Sequence, residues 1–267
     1  MEPEKVPAIL QTKVSYKLLG LIFLAAIVFQ SYLYFVETTD QIEEGIAYLS
    51  MSTPLLVSAA SLVIAFRYGL SKVFGKAYLI FALAYFSLFL AELTYYAYDV
   101  IYGIDPYPSI ADVFFFAMYP LLSIHILVNL KFFKTKIPAK QKLLFVAIPI
   151  IIFSIYSGAS LDEYGGYAEM IGDEEAAFDY FYGLIFVAGA AITLSFAALG
   201  AIVFRGGLLG TTWALLLIGI LIFTIGDVWY YWLEVVGEYD LIHPVNLLWY
   251  IPDGIVIYAL FKHAKAL

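Results

Sequence analysis

The chain of 267 residues is 63% hydrophobic and only 13% charged, with a mean hydropathy of +0.90. Soluble domains run to about a quarter charged residues; this chain has more apolar surface than a soluble fold can hide, so lipid must be the solvent for much of it. The net charge of -8 excludes a phosphate-binding nucleic-acid surface, and the lack of cysteine excludes disulfides, thiolate metal sites and cysteine nucleophiles.

A membrane-crossing helix takes about 20 mostly apolar residues. The sequence predicts eight, over 16–37, 45–67, 76–100, 109–131, 142–158, 176–204, 210–235 and 243–263. The first is too long for a cleaved leader, and Phe29-Gln30-Ser31-Tyr32 offers no small-residue cleavage site. The fifth is the shortest, and the sixth is long enough to tilt or project. Residues 159–175, acidic and glycine-containing, read as the longest connection. No soluble module is expected, so residues 1–267 read as a single all-α integral membrane domain.

Charge sets the expected orientation. The basic residues fall at alternate connections: Lys5, Lys13 and Lys17 before the first helix; Arg67, Lys72 and Lys76; Lys131, Lys134, Lys136, Lys140 and Lys142; Arg205; and Lys262 and Lys265 at the end. The intervening connections are acidic: Glu37, Asp40, Glu43 and Glu44; Asp99 and Asp105; Asp162 through Glu175; and Glu234, Glu238 and Asp240. The positive-inside rule makes the basic set cytoplasmic. The expectation is a multi-pass protein of the cell membrane, in contact with lipid, with both termini in the cytoplasm.

The two halves resemble each other. Glu92-Leu-Thr-Tyr95-Tyr96-Ala-Tyr-Asp99 matches Asp227-Val-Trp-Tyr230-Tyr231-Trp-Leu-Glu234, each reading acid, two residues, Tyr-Tyr, two residues, acid. Phe66-Arg67 matches Phe204-Arg205, and Asp112, Phe116 and Tyr119 match Asn246, Tyr250 and Asp253. This predicts two parallel four-helix repeats, about 16–131 and 142–263, related by a twofold axis along the membrane normal.

Residues at i, i+3, i+4 and i+7 share one helix face. Glu92, Tyr95, Tyr96 and Asp99 therefore form one stripe, and Asp227, Tyr230, Tyr231 and Glu234 its twin. Asp112, Phe116 and Tyr119 stripe the fourth helix; Asn246, Trp249, Tyr250 and Asp253 stripe the eighth. Asp99, Asp112 and Glu234 are expected near the outer interface, Glu92 and Asp227 one to two turns deeper, and Asp253 deepest. An ionised carboxylate facing lipid costs at least about 2.5–3.5 kcal/mol, so these acids should face the bundle interior. Each would be protonated and hydrogen-bonded to Tyr or Asn, neutralised by a cation, or hydrated in an outward cavity. Calcium or magnesium would suit oxygen ligands, and an organic ammonium would suit carboxylates lined with Tyr and Trp. The structural alternative is that tyrosines satisfy buried protonated acids and tie helices together.

His243, beside Pro244 at the outer face, is the candidate metal ligand, with an interfacial cap as its plainer role. His125 is expected to pack, and His263 to be solvated in the basic tail. There is no His-Glu-x-x-His pair, nucleophile elbow, phosphate-cradling glycine loop or retinal-type lysine, so no cofactor or catalytic residue is assigned. Pro54, Pro120, Pro149 and Pro252 fall inside apolar spans and should kink them or free a carbonyl.

The segment Tyr102-Gly-Ile-Asp105-Pro106-Tyr-Pro108-Ser109-Ile-Ala111-Asp112, followed by an aromatic run and Tyr119-Pro120, resembles the membrane-embedded sensor modules that precede diguanylate cyclase, phosphodiesterase and histidine kinase domains in prokaryotes. The match is strict over about 20 residues. It implies a sensory role for Asp112 and its surroundings and, with no output domain in the chain, a separate signalling partner. Locally, Pro106 and Pro108 fix extended backbone, Ser109 can cap the helix, and Asp112 complements its dipole. Gly226-Asp227 gives a weaker likeness to the eight-helix lysoplasmalogenase-type hydrolases.

The leading expectation is a receptor or sensor-like protein with an outward, acidic and aromatic pocket for a cation or small amphiphile. A transporter or channel would need a polar path through the inner halves of the helices, which are mostly apolar. A lipid hydrolase would need at least three of Glu92, Asp112, Asp227, Asp253 and His243 to converge within a few ångströms.

Overall fold

The computed structural model describes residues 14–36, 38–132, 137–205, 210–240 and 242–266. Lys5, Lys13, Glu37, Lys134 and Lys136 of the charge pattern, and the side chain of Asp40, lie outside what is described. Every regular element among the described residues is helical: α1 (Tyr16–Leu33), α2 (Thr39–Tyr68), α3 (Val73–Tyr96), α4 (Ile110–Phe132), α5 (Ala139–Glu163), the short α6 (Tyr167–Gly172), α7 (Glu174–Val203), α8 (Gly210–Val236) and α9 (Leu247–Ala266). All but α6 belong to eight segments long and apolar enough to cross a membrane.

Local chemistry sets the ends. Ser15, Thr38 and Asp173 cap α1, α2 and α7 by accepting from the N–H groups of Leu18, Gln41, and Glu175 with Ala176, which satisfies donors that a helix start leaves open. Gly69, at φ +86°, stops α2, a backbone angle that favours glycine. Pro54, Pro120, Pro149 and Pro252 all lie inside helices.

The predicted connection 159–175 is mostly helix. α5 runs on to Glu163, because Tyr156 and Ser160 continue its buried face, and α6 folds back on α7 with Met170 buried. A charge count along the segment misses this, since one face is apolar while the other carries the acids.

Six helices close a ring. α2 packs on α3, α3 on α4, α4 on α7, α7 on α8, α8 on α9, and α9 returns to α2. α1 lies outside against α9, and α5 outside against α7 and α8. Burial follows this plan: α1 and α5 bury 17% and 11% of their apolar windows inside the protein, whereas the ring helices bury 33% to 61%. Ile150, Ile151 and Ile155 of α5 stay more than half exposed, the expected state of side chains whose solvent is lipid.

Small residues bring the ring helices close. Ala77, Ala84 and Ala91, one heptad apart on α3, are fully buried, and hydroxyls bond neighbouring backbones, Ser58 Oγ to the Ala82 carbonyl at 2.9 Å and Ser87 Oγ to the Phe114 carbonyl at 2.8 Å. Close approach of small side chains and interhelical hydrogen bonds are what hold helices together where lipid removes the hydrophobic drive. α1 is fastened at both ends: the Ser15 N–H donates to the Tyr258 hydroxyl at 2.7 Å, and Gln30 Nε2 donates to the Ile242 carbonyl at 2.6 Å.

Candidate ligand-binding site

The ring is filled at its basic end and open inside at its acidic end. Toward the basic end Tyr78, Phe81, Ile126, Trp213, Ile255 and Leu260 pack the axis. Toward the acidic end lies a cavity of about 240 Å³, lined by all six ring helices; a single water needs about 10–15 Å³ on the same measure. It runs from Glu43, Asp99 and Tyr107 near the helix ends down to Thr53 and Asp253.

Most of the predicted site residues meet there. Glu92, Tyr95, Tyr96, Asp99, Asp112, Tyr119, Asp227, Tyr230, Tyr231, Asn246 and Asp253 all line this cavity. The stripe on α3 reaches the cavity through Asp99, which lies in a π-turn over Ala97–Ile101, with the Tyr102 N–H donating to the Ala97 carbonyl. A π-turn closes i→i+5 and turns the chain less per residue. α8 has no such turn. Its residue at the same place, Glu234, is exposed and outside the cavity, beside Tyr230. On α4, Phe115 rather than the expected Phe116 lines the cavity; Phe116 lies edge-on to Tyr119 and Phe186.

The acids are held in different ways. Asp227 Oδ2 accepts from the Tyr119 hydroxyl at 2.8 Å and its Oδ1 from Trp249 Nε1 at 3.1 Å. Asp112 Oδ2 accepts from the Ser109 N–H at 2.6 Å, while Ser109 Oγ accepts from the Ala111 N–H at 3.1 Å, a reciprocal cap that starts α4. Asp253, 4% exposed, accepts at Oδ2 from Thr53 Oγ1 at 2.7 Å, and its Oδ1 has no hydrogen-bond partner. Glu92 lies within electrostatic range of Asp253. Asn246 Oδ1 accepts from the Tyr239 hydroxyl at 3.3 Å. Among the described residues no lysine, arginine or histidine lines the cavity.

Residues outside the stripes of α3, α4, α8 and α9 also shape the mouth. Tyr107, between α3 and α4, packs edge-on against Tyr182 of α7 at 4.7 Å and donates to Asp179 Oδ1 at 3.0 Å. Burial and that carboxylate raise its hydroxyl above the ordinary tyrosine value, so it remains a donor. Tyr182 and Phe186 of α7, and Glu43, Ser50 and Thr53 of α2, also line the wall. The signals were available: α7 carries Asp179, Tyr182 and Phe186 at i, i+3 and i+7, and α2 carries the hydroxyls of Ser50, Ser52 and Thr53 just before Pro54.

The histidines lie apart from the cavity. His243 Nδ1 accepts from the Val245 N–H at 3.1 Å and its ring meets Trp229 edge-on, the capping role. No three His, Cys, Asp or Glu side chains among the described residues could hold a metal ion together, so His243 has no ligand set to join. His263 is not solvated as expected: it is fully buried, with its ring nitrogens 2.8 Å from the Tyr68 hydroxyl and 2.9 Å from that of Tyr78. α9 continues to Ala266 and packs against α2, which carries the residue inward despite its basic neighbours. His125 is buried as expected, its Nδ1 2.7 Å from the Ala77 carbonyl.

No protein-family model matches the chain, and no curated protein or solved structure does either.

Proposed function

We propose that this is a receptor-like membrane protein whose ring cavity binds an organic cation, a small amphiphile with an ammonium head. One observation carries the reading: Glu92, Asp112, Asp227 and Asp253 face a single cavity walled by tyrosines and Trp249, with no basic side chain among its lining. Carboxylates at this depth need a counter-charge or a proton. Aromatic faces attract an ammonium that has shed its water, by about 2 kcal/mol or more in desolvated sites. A divalent metal would need more carboxylates on one point, and no such group exists among the described residues.

The acidic end is the outer one in this reading, by the charge of the connections. The ring supports a repeat: exchanging α2, α3 and α4 for α7, α8 and α9 maps the ring contacts onto one another. α1 and α5 depart from that symmetry, since α1 packs on α9 whereas α5 packs on α7 and α8. The likeness of residues 102–120 to sensor modules fits a receptor whose signal passes to a separate partner, since Tyr107 and Asp112 of that segment line the cavity. The packed axis below Asp253 favours a receptor over a transporter or channel. Hydrolysis is disfavoured because Asp112, Asp227 and His243 are each engaged by different groups.

The test is thermal unfolding of the purified protein with ammonium amphiphiles and their neutral isosteres. A ligand that binds only the folded state raises the midpoint with concentration. The expected result is stabilisation by the ammonium compounds alone, lost in Asp227→Asn and Glu92→Gln. Equal effects of charged and neutral compounds, or variants that are merely more stable with no response to either, would overturn it.

A further inference from the structure

We propose a second, smaller site at the floor of the cavity, where Asp253, Thr53 and the Ser50 carbonyl take a monovalent metal cation of the sodium kind. The proposal rests on the cavity but not on the ammonium reading: it shares Asp253 with that site but needs neither Asp112 nor Asp227.

Asp253 is 4% exposed, lines the cavity, and has one carboxylate oxygen, Oδ1, without a partner. Its other oxygen holds the Thr53 hydroxyl in place at 2.7 Å. Thr53 spends its only proton on that bond, which leaves its oxygen lone pairs for a cation. Thr53 precedes Pro54, and Pro54 has no N–H to give the carbonyl of Ser50 four residues earlier. Ser50 lines the same cavity. A carboxylate from α9 and a hydroxyl from α2 therefore stand together, and the residue whose carbonyl the proline frees lines the same cavity.

All three donors are hard oxygens, the set that alkali and alkaline-earth ions prefer over softer metals. Backbone carbonyls released from helical bonding coordinate sodium in transporters with broken membrane helices. The charge count selects a monovalent ion. Asp253 supplies one negative charge at the point of contact, and Glu92 adds potential from α3. A calcium site would want six to eight oxygens with several carboxylates.

The experiment measures the thermal midpoint of the intact protein in sodium chloride, potassium chloride and N-methyl-D-glucamine chloride at equal ionic strength and fixed pH. A saturable rise with sodium, absent with N-methyl-D-glucamine, is expected. Asp253→Asn should abolish the sodium response. Thr53→Val, which keeps the carboxylate, should weaken apparent sodium affinity by roughly tenfold, the order of one lost polar contact, and it decides the matter if Asp253→Asn fails to fold. Identical midpoints in sodium and N-methyl-D-glucamine would overturn the proposal. So would a sodium response untouched by both variants, or stabilisation by lowered pH with none by sodium, which would identify a proton as the occupant. An ammonium response lost in Asp227→Asn while the sodium response persists separates the two sites. A sodium response without any ammonium response sinks only the reading of the larger cavity.

Discussion

Tyr119 of α4 donates its hydroxyl proton to Asp227 of α8 at 2.8 Å, joining two helices on either side of α7. Both residues are buried, and Trp249 of α9 holds the other carboxylate oxygen. Three helices thus converge on one acid at the cavity wall. In the internal repeat proposed above, Asp227 corresponds to Glu92 and Tyr119 to Asp253. The counterpart of a tyrosine-acid bond is then a pair of acids within electrostatic range. The same place in the two halves is satisfied within the protein on one side and left acidic on the other.

Tyr119→Phe removes the donor and leaves Asp227 with Trp249 alone. Hydrogen bonds between membrane helices average about 0.6 kcal/mol and reach about 1.7 kcal/mol. Both partners are buried, which places this one at the upper end, so a loss of about 1–2 kcal/mol is expected in denaturant unfolding. In a double-mutant cycle with Asp227→Ala, which removes the acceptor, the two changes should not add. Full additivity would show that the bond contributes nothing.

Asp112 serves two purposes that substitutions can separate. Ser109→Ala removes a helix cap and should cost about 1 kcal/mol without altering ammonium binding. Asp112→Asn keeps an oxygen to accept from the Ser109 N–H but removes the charge. Stability should stay within about 0.5 kcal/mol, while ammonium affinity falls. Unchanged affinity in Asp112→Asn would assign the residue to capping alone.

The acid-aromatic stripes of α3 and α8 were legible because intramembrane carboxylates cannot face lipid, and helical spacing says which residues travel with them. That argument gathers Glu92, Asp99, Asp227 and Asp253 without coordinates. It fails at Glu234, which shares the Asp227 face by spacing but lies exposed and outside the cavity in the last turn of α8. It also passes over Tyr182 and Phe186, although they follow Asp179 on α7 at the same spacing; the packing of α7 on α4 brings them to the wall while Asp179 itself stays off it. His263 was misread because a basic flank signals water only when the helix ends there, and α9 does not.

His263 sits at the filled end of the ring, bonded to Tyr68 and Tyr78. His263→Ala leaves both hydroxyls short of a partner in a packed environment, each at about 1–3 kcal/mol when fully buried. Since Tyr68 is only partly buried, a total of about 2–4 kcal/mol is expected. The cavity lies at the other end, so ammonium affinity should be preserved in the fraction that folds. A parallel loss of affinity with unchanged stability would show that the two ends communicate.

The lack of cysteine makes the orientation directly testable, because any single introduced thiol is labelled without background. Lys140 and Glu163 are both exposed and stand at opposite ends of α5, a helix of 25 residues that spans about 37 Å at 1.5 Å per residue. Lys140→Cys leaves Lys131, Lys134, Lys136 and Lys142 on its connection, so the basic bias that sets orientation survives. A membrane-impermeant maleimide should label Glu163→Cys on intact cells and Lys140→Cys only after permeabilisation. The reverse pattern would put the cavity mouth in the cytoplasm. Labelling of both on intact cells would mean that α5, the least buried of the eight candidate spans, does not cross.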